Sequence, residues 1–244
     1  MGHGGITKGK DSMVKNTIIS ANKANSLFWL GRYEERVYIT LHLMRKCYDK
    51  MIDGEMEDYW PFWQELDPLG VYQTNDEFTL GMMYDGGNPS SVMAAQTRAM
   101  DNAILLREEI TSETLSYLEM SVALLKECSE KQETNVMALQ PVIDWSLAFW
   151  GAAEQRLKNH KAQYIMMIGR NIENLDMLLR FEYSYERIAQ AYDSVKHYSR
   201  LLHGLLDDHM ESQLDSLIIR EKFNLSDLDY KNKLLAFVNQ LVRV

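Results

Sequence analysis

The sequence predicts an all-α fold, a multi-helix bundle of long amphipathic helices with an internal pseudo-repeat. Three observations carry that reading. Apolar residues recur at three- and four-residue spacing over most of the chain, which lines them along one face of a helix. Helix breakers are scarce, with 4 prolines and 13 glycines in 244 residues. Strand-like alternation is nowhere sustained.

The first helix is expected from about Ser20 to Ile52, on the spacing of Ala24, Leu27, Phe28, Gly31, Tyr38, Ile39 and His42, with Asp53-Gly54 as its stop. Tyr59-Trp60-Pro61-Phe62-Trp63 is expected to be a short helical segment packed on the bundle. Asp85-Gly86-Gly87-Asn88-Pro89 is the clearest loop. It also reads as a helix start, with Asn88 as N-cap and Pro89 in the first helical position. That helix is expected to run through Met93, Met100, Ala103 and Arg107 towards Ile110. Thr111-Ser112-Glu113-Thr114 offers a new cap for a helix through Leu118 and Leu125. A break from Asn135 to Gln140 precedes a helix from Pro141 to Gln155. A further helical stretch is expected from Lys161 to about Gly204. Ser226 is expected to cap a final helix carrying Leu234, Leu235, Val238 and Leu241.

Composition narrows the function classes. A net charge of -9 and a pI near 5.2 disfavour phosphate binding, so nucleic acid is not an expected partner. Cys47 and Cys128 are far apart and lack CxxC spacing, which fits a reducing, cytoplasmic setting. No apolar run reaches membrane-spanning length, and the stretch from Met1 to Met13 lacks the apolar core of a signal peptide. The chain begins Met-Gly, but Ile6 stands where the myristoylation pattern needs Ser or Thr. Residues 1–16 are expected to be a disordered tail, and 17–244 one helical domain. The 15 methionines suit a helical core, because methionine is a flexible filler and a good helix former.

One internal echo bears on function. Gly31-Arg32-Tyr33-Glu34-Glu35-Arg36 resembles Gly169-Arg170-Asn171-Ile172-Glu173-Asn174, each inside an apolar helical pattern. Two such helices can pack as pseudo-symmetric partners, with the glycines allowing close approach. Glu35 shares a face with Phe28, Gly31 and Ile39, and Glu173 shares one with Met166, Gly169 and Met177. Both carboxylates are therefore expected to point inward, where they must be paired, protonated or wet. Arg32, Arg36 and Arg170 lie close by in sequence. Arg107 follows Ala103 by four and is expected to face the same interior. Asn102 and Asp176 complete the candidate cluster. Two readings stay open: a pocket of carboxylates and guanidinium forks suited to an amino acid or peptide terminus, or an ion-pair network that fixes helix register.

Other chemistry finds no footing. None of His3, His42, His160, His197, His203 and His209 has a Glu three residues before it, so the Glu-x-x-His pairs of di-iron bundles are missing and no metal is expected. His197, His203 and His209 are spaced by six, which does not align them on a helix. No P-loop, dinucleotide fingerprint, HExxH or nucleophile elbow occurs, and no cofactor is expected.

The same residues carry a family likeness. Ala24-Asn25-Ser26-Leu27-Phe28-Trp29-Leu30-Gly31-Arg32-Tyr33-Glu34-Glu35-Arg36 resembles the opening helix of alpha-E proteins, an all-helical family with a Glu-Arg motif. Asn88-Pro89-Ser90-Ser91-Val92 resembles that family's Asn-Pro-Ser-Ser-apolar segment, Ala99 to Arg107 its arginine-rich stretch, and Gly169-Arg170 with Glu173-Asn174 its second Glu-Arg helix. This chain departs at Met100 and Ile104, where the family typically has arginine, at Leu115 for tryptophan, and at Asn174 for the second Arg. Those departures reduce an expected ladder of inward arginines to Arg107 alone.

The resemblance implies work alongside circularly permuted ATP-grasp enzymes or transglutaminase-like proteins, in peptide or amide-bond metabolism. On that expectation the chain binds substrate, a peptide or amino acid, at the Glu/Arg cluster. The alternative is a non-catalytic adaptor or scaffold whose cluster is only structural.

Overall fold

The computed structural model describes residues 19–59, 65–66, 70–157, 159–202 and 204–243. The expected tail, the aromatic segment at Trp60, Pro61, Phe62 and Trp63, and His203 lie outside the described residues. Among the described residues the chain is helical, and its β structure is one bridge between Leu206 and Val242.

Helix α1 runs Ala21–Ile52. The Ser20 hydroxyl caps it by accepting the Lys23 N–H at 3.3 Å, and the helix stops at Asp53 before Gly54, whose φ is 73°. Helix α2, Asn75–Tyr84, starts with a reciprocal capping box between Thr74 and Glu77. Helices α3 (Val92–Leu105) and α4 (Ser112–Glu130) follow. A 3-10 turn at Val136–Leu139 leads into α5, Gln140–Arg156. Helices α6 (His160–Arg180), α7 (Tyr185–Arg200), α8 (Asp208–Leu217) and α9 (Leu228–Gln240) complete the order.

α1 is the axis of the packing. Its most extensive partner is α6, then α3, and it also touches α5. It runs through both apolar cores. Leu27, Phe28 and Leu30 belong to the larger one, with Phe149, Met166 and Ile172. Val37, Leu41 and Met44 belong to the second, with Phe78, Met82 and Leu125. Burying each such side chain stabilises the fold by roughly 1.5–3 kcal/mol. Several methionines are core filler as expected, among them Met44, Met82, Met83 and Met166, each fully buried.

Four boundaries differ from the sequence reading. α3 is capped by Ser91, whose hydroxyl accepts the Ala94 N–H at 3.1 Å, and not by Asn88. The Asn88 carbonyl oxygen of the side chain instead accepts the Ser90 N–H at 2.9 Å, folding a turn ahead of the helix. α3 ends at Leu105 and never reaches Arg107. The stretch expected as one helix from Lys161 to Gly204 is two, because the chain turns at Glu182, with φ 52°. There the Tyr183 N–H donates to the Leu178 carbonyl at 3.0 Å, the closing bond of a Schellman cap. The final helix is capped by Asp227, which accepts the N–H groups of Asp229 and Tyr230, and not by Ser226.

Candidate functional site

The site is built where α1 and α6 cross closest, running in the same direction. A Cβ placed on Gly31 would lie 2.1 Å from the Met166 carbonyl oxygen, and one on Gly169 would lie 2.1 Å from that of Phe28. The two contacts mirror each other, so only glycine fits at either position. The echo seen in sequence is thus a local pseudo-twofold. Gly31 corresponds to Gly169, Arg32 to Arg170, Glu35 to Glu173 and Arg36 to Asn174.

The ion pairs cross between the helices. Arg170 Nε donates to Glu35 Oε2 at 2.9 Å, and Arg32 Nε donates to Glu173 Oε2 at 2.8 Å. The symmetry then breaks. Arg36 Nε also donates to Glu173, to Oε1 at 2.5 Å, so both oxygens of that carboxylate carry a guanidinium. Asn174, at the corresponding place on α6, is too short to do the same for Glu35.

The Glu173 half is closed further by α9. Both Arg32 terminal nitrogens donate to the Asn239 Oδ1 at 3.1 Å. Asn239 Nδ2 in turn donates to Asp176 Oδ1 at 2.9 Å, and Arg180 Nε to Asp176 Oδ2 at 2.6 Å. Glu173 and Asp176 are 0 % and 1 % exposed. Burial pulls on the Arg36 guanidinium, but Glu173 and Asp176 more than offset it and hold its pKa above the ordinary value.

The Glu35 half opens outward. Burial pushes the Glu35 carboxyl above the usual carboxylate range, Arg170 opposes the rise, and Glu173 adds to it. Arg170 lies over the Trp150 ring, 4.4 Å from its centre. Glu35 and Asn174 both line a groove between α1, α6 and α7. One cavity of about 270 Å³ is bordered by Tyr38, His42, Lys46 and Arg187 as well. A second, of about 230 Å³, is bordered by Arg170, Asn171, Ser194 and Tyr198.

Six of the eight expected site residues meet here: Arg32, Glu35, Arg36, Arg170, Glu173 and Asp176. Asn102 and Arg107 do not. Asn102 Nδ2 donates to the Arg98 carbonyl of its own helix at 2.9 Å. Arg107 is exposed in the turn after α3. The inner stripe of α3 is Val92, Ala95, Ala99 and Ala103, so Ile104 is exposed and the Met100–Ile104–Arg107 line is not an inward ladder.

A buried glutamate was missed. Glu34 is 0 % exposed on the neighbouring face of α1, towards α3 and α5. It accepts the Ser146 hydroxyl at 2.7 Å and the Gln96 amide at 3.2 Å. Burial pushes its carboxyl up to about 7, against the pull of those two hydrogen bonds. The signal was present: Leu27, Leu30, Glu34, Val37, Leu41 and Met44 form an unbroken three-four stripe. Asn239 was also missed, and no spacing marks it.

Among the described residues, no three His, Cys, Asp or Glu side chains gather to hold a metal, and Cys47 and Cys128 are free thiols. No described helix is long and apolar enough to cross a membrane. In comparisons with known proteins, residues 19–196 match the Alpha-E family model, described as a predicted alpha-helical domain with a conserved ER motif. Neither the curated proteins nor the solved structures returned a match.

Proposed function

The chain belongs to the Alpha-E family, and from that premise we propose that it is a helical binding domain whose groove receives an amino acid or short peptide. It does so for a circularly permuted ATP-grasp or transglutaminase-like partner in cytoplasmic amide-bond metabolism. The observation that carries the reading is the Glu35–Arg170 pair, a buried carboxylate and a partly exposed guanidinium at the wall of cavities that suit a ligand of amino-acid size. The groove offers a carboxylate, a guanidinium and, at its rim, the cations Lys46 and Arg187. That mixture of signs suits a zwitterion.

The binding role falls on the Glu35 half alone. The Glu173 half supports the second reading, an ion-pair network that fixes helix register. Both oxygens of Glu173 are already taken, and Asn239 ties Arg32 to Asp176. Glu34 has a pKa near that of a general acid or base, but its burial between Ser146 and Gln96 keeps any substrate away from it.

The test is a thermal-shift screen of amino acids and dipeptides against the wild-type chain and Glu35→Gln. It is followed by ATP turnover of an ATP-grasp protein from the same genome with either chain added. Ligand-dependent stabilisation and stimulated turnover, both lost in Glu35→Gln, are expected. Equal behaviour of the two chains in both assays would return the whole cluster to a structural role.

A further inference from the structure

We propose that the space beside Asn174 is a slot for a guanidinium group carried by the ligand, which would complete the second ion pair that Glu35 lacks. The inference rests on the groove being a ligand site, and it names the ligand class: an arginine, or a peptide bearing one.

The argument comes from the molecule's own pseudo-symmetry. Glu173 is flanked by two guanidinium groups, Arg32 at 2.8 Å and Arg36 at 2.5 Å. Glu35 is the matching carboxylate, and Arg170 at 2.9 Å matches Arg32. Nothing on α6 matches Arg36, because asparagine occupies that position. Among the described residues no second cation takes its place, although the Trp150 indole also lies against Glu35 and favours its charged form. Glu35 and Asn174 line two cavities in common, of about 270 and 230 Å³. Glu35 itself is 5 % exposed, so a second cation there would meet a carboxylate with little water to screen it.

A guanidinium fits better than an ammonium. The group it replaces is itself a guanidinium, a planar donor that matches a carboxylate edge. The walls suit a flat cation, since Tyr38 and Tyr198 border the two cavities. Lys46 and Arg187 border the larger cavity too and offer positive charge for the carboxylate of an arginine ligand. Asn174 retains an amide that can accept from or donate to the ligand.

The variant Asn174→Arg separates this slot from the groove reading beneath it. In the full chain, an arginine at 174 is expected to pair with Glu35 and raise the melting temperature by about 2–4 °C. Calorimetric titration with L-arginine, its neutral analogue L-citrulline, and the dipeptide Ala-Ala then reads the ligand side. The wild type is expected to bind L-arginine at least about tenfold more tightly than L-citrulline, and Asn174→Arg to lose that preference. Equal binding of L-arginine and L-citrulline, unchanged by Asn174→Arg, would overturn the slot and leave the groove standing. A fall in melting temperature for Asn174→Arg would also overturn the slot, because the space would not be shaped for a guanidinium. No saturable binding of any of the three probes by the wild type would overturn slot and groove together.

Discussion

Glu173 and Glu35 occupy matching places on two helices packed through matching glycines, yet their surroundings differ. Glu173 is fully buried, holds two arginines and is tied through Asn239 to the last helix. Glu35 holds one arginine and faces a groove. Two differences set the asymmetry: asparagine stands for arginine in the second copy of the repeat, and Asn239 of the last helix closes only the Glu173 side. A duplicated motif can therefore divide its work, one copy locking the helices and the other left open. Glu34 marks the opposite extreme, a buried carboxylate with no cation.

The sharpest way to break this comparison is to remove each carboxylate. Glu173→Ala leaves the buried Arg32 and the partly buried Arg36 without their carboxylate and is expected to cost about 3–5 kcal/mol in denaturant melts. If Glu35→Ala cost more than Glu173→Ala, the assignment of closed and open halves would be reversed.

The next effect belongs to Glu34 and is read by pH. Its carboxyl titrates near 7 in the fold and near the ordinary 4.5 when unfolded. Below the unfolded value both states hold the proton and there is no contribution. Between the two values the unfolded state gives up its proton and the folded state keeps it, so stability falls as pH rises. Above about 7 the loss levels off at about 3 kcal/mol. Melts of the wild type and Glu34→Gln from pH 5 to pH 8 check this. The variant should have lost that slope, and an unchanged slope would place its origin elsewhere.

The glycines test the symmetry itself. Alanine at Gly31 or Gly169 drives a methyl into a backbone carbonyl on the facing helix, and each change is expected to cost about 2–3 kcal/mol. Because the two contacts mirror each other, the two costs should agree. A cost at one position alone would mean that the helices do not share a twofold crossing.

Glu35→Gln is expected to change least, about 1 kcal/mol or less. An amide keeps the shape and one acceptor, and Arg170 is 25 % exposed, so water compensates the lost charge. A loss approaching that of Glu173→Ala would show that the groove is drier than its geometry implies.

Much of this was legible in the sequence. The Gly-Arg-x-x-Glu echo located both halves, and the inward turn of Glu35 and Glu173 followed from helical phase alone. The failures have physical causes. Arg107 was placed inside by extending the phase of α3 past Leu105, but the helix ends there and the phase with it. The turn between α6 and α7 carries no glycine. Glu182 takes the left-handed conformation itself, and its side chain is held by Lys231 at 2.8 Å, a contact invisible to local patterning. Glu34 was overlooked because one face of α1 was read as the buried one. A helix enclosed by α3, α5 and α6 has no outer face over much of its length.

The parallel pairing of α1 with α6 also sets the order in which the molecule can be made. Arg32 and Glu173 are 141 residues apart in the chain, and α2, α3, α4 and α5 lie between their own helices. Two helices running in the same direction cannot be joined by a tight hairpin, so this seam must wait for the segment between them to compact. Closing so long a loop costs entropy before any of its contacts can repay it. The Glu173 lock is then a late clasp, expected to slow unfolding while leaving the folding rate nearly untouched. In refolding kinetics a conservative change at Glu173 should give a φ-value near zero. A value near one would make the seam the nucleus, assembled first across 141 residues of chain.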